Sequence, residues 1–362
     1  MQANPEHLKT EARTLQLRHP PGKTFWLTGF LLLIFFGGGE IIARQEFFQT
    51  LFIAPGIGSP HRQFEVQLGR LKERYQEQGK IDCIITGSST VQEGFDPLLF
   101  QVAVAESSGE NLSCYNFGLD GLTAAGAGVI ARLLVDVYQP RIFIYGTDPR
   151  DYIYPIDAGE NTGIIHNPWV QYRLGTWNWS GWLFEHSSLL QYQKPIRQLL
   201  ELRLWELNHF AIQQDTDRWG HTLISTPRVN VARPPIENTD THYVTVYYYY
   251  LANYQIFPEN IRGLEEVIAQ QKRGVQVLVV EMPVAPGYAD FLPNGSKDYQ
   301  MWVETIRAGV NDDDVPFLHP LAEIDIPITG WNDYNHLNRE GIEIFSKWLG
   351  IKVVELTARD NH

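Results

Sequence analysis

The 362-residue chain carries 42 acidic against 29 basic side chains, a net charge of −13 with histidine neutral. That acidity, with no Lys/Arg cluster to offset it, excludes a nucleic-acid surface. A hydrophobic share of 44% supplies a core, and the length suits one large α/β domain carrying an insertion.

Phe25 to Ile42 forms an 18-residue run whose only charge is Glu40. At about 1.5 Å per residue it spans roughly 27 Å, enough for a bilayer core. Lys9, Arg13, Arg18 and Lys23 precede it, whereas only Arg44 and Arg62 follow closely. The positive-inside bias therefore predicts a cytoplasmic segment 1–24, a transmembrane anchor 25–43 and a catalytic domain on the periplasmic or extracellular side. A cleaved signal peptide is the competing reading, with Gly37-Gly38-Gly39 offering small residues for cleavage but no Ala-x-Ala site.

Residues 44–80 read as a juxtamembrane linker. Phe47, Phe48, Leu51 and Phe52 suit an outer interface, the Ala54 to Pro60 stretch breaks any helix, and Phe64, Leu68, Leu71 and Tyr75 recur at amphipathic helical spacing. From residue 81 short apolar runs alternate with helical patterns. Strands are predicted at 81–86, 112–117, 141–145, 275–280 and 315–318, with helices at 121–137, 261–272 and 339–349. Asp96-Pro97 is a cap followed by a first-turn proline and opens a further helix.

Such alternation predicts an α/β fold, a doubly wound parallel five-stranded sheet, over 81–350. It is interrupted at 152–258 by an aromatic-rich insertion with a helical pattern from Ser188 to Phe210, and residues 351–362 form a tail. Within the insertion Trp169, Trp177, Trp179, Trp182, Trp205, Trp219 and the run Tyr247 to Tyr250 suit sugar stacking or core packing, the latter preferred for most. Cys83 and Cys114 fall level on two predicted strands. A disulfide is open to them outside the cytoplasm, but two buried free thiols are expected, because bridge geometry is demanding.

Gly87-Ser88-Ser89 ends the first predicted strand, and Asp333-Tyr334-Asn335-His336 precedes the last helix. In an open α/β sheet, ligands bind beyond the carboxyl ends of the strands, so Ser89 suits a nucleophile. A serine hydroxyl needs a base within reach; His336 supplies it, and Asp333 three residues earlier orients the ring. The bland alternatives are Ser89 or Ser88 as a helix cap and His336 as a surface partner of Asp333. Asn311 to Asp314 lacks the calcium-loop pattern, and His166, His186, His209 and His221 lack ligand spacing, so no metal and no cofactor are expected.

These motifs resemble the SGNH (GDSL-type) hydrolase superfamily, whose fold is flavodoxin-like. The layout is similar to its membrane-anchored branch of D-alanyl transfer proteins and polysaccharide O-acetyltransferase-like proteins. The resemblance aligns Gly87-Ser88-Ser89 with the Gly-Asp-Ser motif. Asn116 and Gly121 match the second motif, where the glycine amide joins that of Ser89 in the oxyanion hole, and Asp333 and His336 match the last. Gly146-Thr147-Asp148-Pro149 departs from the third motif, placing Asp148 where an oxyanion-donating Asn stands. An ionised Asp cannot donate, so a donor such as Arg150 is the alternative. The resemblance implies a serine esterase or O-acyltransferase acting on ester groups of envelope glycans or other extracellular polymers, while the interfacial aromatics would suit lipid esters at the membrane surface. A catalytically inactive scaffold in an envelope assembly is the alternative.

Overall fold

The computed structural model describes residues 22–51, 56–153, 158–193, 219–221, 251–311 and 313–359. Segment 1–21, Pro55, Trp205, His209, Asp312 and the Tyr247 to Tyr250 run lie outside them.

Helix α1 (Gly22–Ala43) is apolar along its length, and Thr24–Ala43 is the one described helix long and apolar enough to cross a membrane. Its rings are bare: Trp26 is 76% and Phe35 77% exposed. The short α2 (Glu46–Leu51) follows, then α3 (Arg62–Gln78), which begins where the His61 ring accepts the Phe64 N–H and ends at Gly79 in the left-handed region. Strand β1 (Cys83–Gly87) leads directly into a six-residue helix, α4 (Ser89–Gly94). Helix α5 (Pro97–Ser108) starts as expected, with the Asp96 carboxylate accepting the N–H groups of Leu98 and Leu99.

Next come β2 (Cys114–Gly118), α6 (Ala124–Tyr138) and β3 (Ile142–Thr147). The predicted start of α6 at 121 gives way to 124, because Gly121 takes a left-handed turn at φ 68°. The described part of the insertion contains α7 (Ala158–Ile165), α8 (Pro168–Arg173), α9 (Trp179–His186) and a helical stretch at 188–193. The remaining elements are α10 (Pro258–Ile268), β4 (Gln276–Glu281), α11 (Ser296–Asn311), β5 (Phe317–Leu318) and α12 (Arg339–Arg359).

The sheet is parallel throughout, in the order β2-β1-β3-β4-β5. Period-2 alternation divides its side chains between two cores. Ile84, Phe117, Phe143 and Val277 pack with Phe64, Ala127, Leu264 and Trp302 from α3, α6, α10 and α11. On the other face, Ile85, Ile144 and Leu278 pack with Val91, Phe100 and Phe345 from α4, α5 and α12. The expected doubly wound α/β architecture is therefore present. The insertion leaves and returns at one place, since the Phe257 N–H donates to the Tyr152 carbonyl at 2.9 Å.

One expectation needs correction. Cys83 and Cys114 are joined in a disulfide rather than free, because the parallel register sets them directly opposite, with Cα atoms 4.3 Å apart. The tryptophans divide. Trp219 is 8% exposed and lies under the Arg74 guanidinium at 3.6 Å, whereas Trp177 and Trp179 are 61% and 67% exposed and form no core. Beside Trp219, Gly220 rests on β2: the Asn116 N–H donates to the Trp219 carbonyl, and a Cβ on Gly220 would collide with the Asn116 carbonyl.

Candidate active site

The chain turns from β1 to α4 at Ser88-Ser89, over the point where strand order reverses between β1 and β3. Crevices at such a reversal are the usual ligand sites of open α/β sheets. Glycines make the approach of α4 to the sheet feasible. A Cβ on Gly87 would strike the Gly146 carbonyl and the Val91 side chain; one on Gly118 would strike the Gln92 backbone; one on Gly146 would strike Val91. β1 and β2 thus end in glycine, β3 has one just before its last residue, Thr147, and the turn bearing Ser89 settles on these positions without side chains.

Asn116 secures that turn from β2. It is fully buried, and its Nδ2 donates to the carbonyls of Phe95 at 2.8 Å, Val91 at 2.9 Å and Gln92 at 3.3 Å. Its Oδ1 accepts the Gly118 N–H at 2.8 Å. The Val91 carbonyl also accepts the Phe95 N–H at 3.1 Å, and one amide side chain gathers the carbonyls at the C-terminus of α4 from outside. Ser88 is buried, with its hydroxyl 3.0 Å from that of Thr90.

The loop before α12 is closed by an antiparallel bridge between Trp331 and Leu337, and inside it the Asn332 N–H donates to the His336 carbonyl at 2.8 Å. Asp333 Oδ1 accepts the backbone N–H groups of His336 at 2.8 Å and Asn335 at 3.1 Å. Both Asp333 oxygens lie 2.9 Å from His336 Nδ1, and His336 Nε2 lies 2.9 Å from Ser89 Oγ. Ser89 and His336, 247 positions apart in sequence, are joined with Asp333 in one hydrogen-bonded line. Burial works against a charged His336. The Asp333 carboxylate, the Glu93 charge and the Asp333 hydrogen bond outweigh it and push the ring up to about 9.

The other expected site residues are distributed as follows. Gly121 lies three residues past β2, in a left-handed turn where its carbonyl accepts the Asn161 amide at 2.7 Å. Asp148 is fully buried at the end of β3 and acts as an acceptor, taking the Arg150 N–H at 2.7 Å and the Asn335 side-chain amide at 3.3 Å. Burial raises its pKa, opposed by the Arg150 charge and these hydrogen bonds. Asp151, also buried, closes a capping box with Asp148 and accepts the Thr147 hydroxyl at 3.1 Å. Burial and the neighbouring Asp148 charge raise its carboxyl well above the ordinary range. Arg150 is close enough for its charge to act on both Asp148 and His336.

Sequence reasoning missed Asn335, although it stands inside the Asp333 to His336 quartet. It also missed the cluster at the end of β4, where buried Glu281 contacts the Tyr299 hydroxyl and His319 Nδ1. No sequence spacing marks that cluster, because its members come from three separate elements. Among the described residues no group of three or more His, Cys, Asp or Glu side chains is arranged to hold a metal.

No family model and no curated protein sequence matches the chain. Solved structures do align with it. One is a crystal structure at TM-score 0.37 and 11% identity, covering 76% of this chain and 98% of the other. Another is the inhibitor-bound form of an aryl esterase from M. Smegmatis at TM-score 0.34 and 12% identity, covering 76% of this chain and 99% of that one.

Proposed function

We propose that the protein is a membrane-anchored serine esterase or O-acyltransferase of the SGNH type, acting outside the cytoplasm on acyl esters of envelope glycans. The observation that carries the reading is the pair of 2.9 Å contacts linking Ser89 Oγ to His336 Nε2 and His336 Nδ1 to Asp333. In this reading Ser89 Oγ attacks the ester carbonyl carbon while His336 Nε2 takes its proton. The tetrahedral intermediate collapses as the imidazolium returns that proton to the departing alkoxide, leaving an acyl-serine. Water or an acceptor hydroxyl then attacks the acyl carbon as His336 takes its proton, and the second intermediate collapses as the imidazolium returns that proton to the departing Ser89 Oγ. Asp333 stays ionised and stabilises the imidazolium.

The oxyanion that forms is met by the backbone N–H groups of Ser89 and Gly121. Asp148 serves as the residue that orients Asn335, whose amide takes the part of the missing Asn. A single lost donor costs about 10²–10³ in rate, which is compatible with a working enzyme.

The bare apolar α1 supports the membrane anchor. Packing of its end against the insertion supports retention over cleavage: Gly39 abuts Leu189, and Ala43 clusters with Tyr192. The Cys83–Cys114 disulfide supports an oxidising compartment. A second reading, a non-catalytic scaffold, draws on Asp148 accepting hydrogen bonds where the family donates one.

Fluorophosphonate labelling of the full chain separates the two. Capture at Ser89 that vanishes in Ser89→Ala is the expected result, with turnover of an aryl ester falling by about 10⁶-fold. No capture under conditions that label a control esterase overturns the enzyme reading.

A further inference from the structure

The insertion presents a bare aromatic face next to the anchor. Trp177 and Trp179 are 61% and 67% exposed, and Leu183, one turn along α9 from Trp179, is 39% exposed. From Leu174 to Phe184 the sequence contains no charged residue, an unusual stretch in a chain of net charge −13. Core packing has no use for rings left in the open, and the cost of hydrating them asks for a cover.

What covers them is indicated by the neighbouring contacts. Glu40, the only charge in the apolar run, accepts the Ser187 hydroxyl at 2.8 Å and the N–H groups of Ser188 at 2.9 Å and Leu189 at 3.0 Å. Arg44 pairs with Glu40 at 2.8 Å and donates to the His186 carbonyl at 2.8 Å. The end of α1 is therefore seated on residues 186–189, the segment that immediately follows α9. From the His186 ring an aromatic ladder leads outward: Trp182 at 4.8 Å, Trp179 a further 5.9 Å, and Trp177 a further 5.3 Å. An open cavity of about 300 Å³, lined by Tyr172, Arg173, Gly175 and Trp177, lies at its far end. Arg173 is neutralised there by Glu185 at 2.7 Å.

We propose that Trp177, Trp179 and Leu183 lie in the headgroup layer of the same membrane that α1 crosses, giving the protein a second foothold beside its anchor. This rests on the transmembrane reading of α1. Indole rings prefer that layer because the ring is apolar while the N–H reaches water or phosphate. The headgroup layer begins near the end of the anchor's apolar run, where Glu40 lies, and the ladder starts at His186, directly before Glu40's partners 187–189. An uncharged face suits lipid of any headgroup charge. The arrangement holds the insertion against the bilayer instead of letting it swing on a tether.

The test uses the full chain in phosphatidylcholine vesicles with and without bromine on the acyl chains. A Trp26→Phe substitution silences the anchor's own tryptophan. Emission of W26F is expected to be lower on brominated vesicles, and that loss to vanish in W26F/W177A/W179A, whose melting by circular dichroism stays unchanged. Equal emission of W26F on both vesicle types, with the wild type still quenched through Trp26, overturns the foothold and leaves the span standing. In that case a shift of W26F emission on adding chitohexaose assigns the face to a glycan, again overturning the foothold. Release of the wild type from vesicles by alkaline carbonate overturns the span and the foothold together.

Discussion

At the crevice beyond β1, nearly every polar group is fixed by another. Asp333 holds His336 by side chain and backbone, Asn335 reaches Asp148, and Asn116 gathers three carbonyls of α4. At the end of α1 one carboxylate, Glu40, collects the polar contacts, and Trp177 and Trp179 on the neighbouring segment are left bare. The first region has the dry, over-determined order that proton transfer needs. The second has an apolar surface whose order depends on what lies against it. Substitutions should therefore act on reaction rate in one region and on placement in the other.

The strongest break with that contrast comes from Asp333→Asn. It keeps the loop's shape but favours the wrong imidazole tautomer, and kcat is expected to fall by about 10⁴-fold while fluorophosphonate labelling slows in parallel. A retained rate would show that the relay is ornamental and would erase the distinction.

Next is Asn116→Ala, which never touches substrate. It strands buried carbonyls at roughly 1–3 kcal/mol each before relaxation. A lowered Tm together with a kcat loss larger than the KM change is expected, since Ser89 rides on the loosened helix. The conservative Asn116→Asp, which lacks the donor, should restore little of either.

The pH profile sharpens the comparison further. In the proposed mechanism neutral His336 is the base, so kcat/KM should rise with pH through about 9 instead of the ordinary 6.5. The same ring is held more tightly when charged in the folded protein. Its contribution to stability is thus complete below 6.5 and is lost as pH rises through about 9. In Asp333→Asn the acid limb should drop to 6.5 or lower, because burial is then less opposed. A pH–rate series and a thermal-melt series on both proteins check this.

The smallest effect on chemistry belongs to Glu40→Gln. Labelling at Ser89 should change by less than about threefold, as expected for a site with no shared partner. Hydrogen exchange across 187–192 should accelerate, since three contacts to the carboxylate weaken. A large loss of labelling instead would mean that the two regions are mechanically coupled.

Much of the architecture was legible because glycine and proline punctuate it. Gly87, Gly118 and Gly146 close apolar runs, and Asp96-Pro97 opens a helix, each through local chemistry that needs no distant partner. Helix α11 escaped notice although Trp302, Val303, Ile306 and Val310 recur at helical spacing on its buried face, because charged neighbours dilute the pattern. The Ser89, His336 and Asp333 set was readable as separate motifs, and their meeting follows from topology. Asn335 to Asp148 and Glu40 to Ser187 depend on three-dimensional placement that no spacing along the chain encodes, whereas the level of Cys83 and Cys114 was legible and only their bonding was not.

Trp219 and Gly220 have a consequence for how the protein behaves in company. An outermost strand with free amides invites a stranger's backbone to extend the sheet, and β2 occupies that position. Here the invitation is already taken: the Asn116 amide is committed to Trp219, and Gly220 lies so close that a methyl group would not fit. Excising the insertion to obtain a minimal sheet domain would thus strip the sheet's bumper. The trimmed protein should stack into oligomers through β2 even if Ser89, His336 and Asp333 remained aligned.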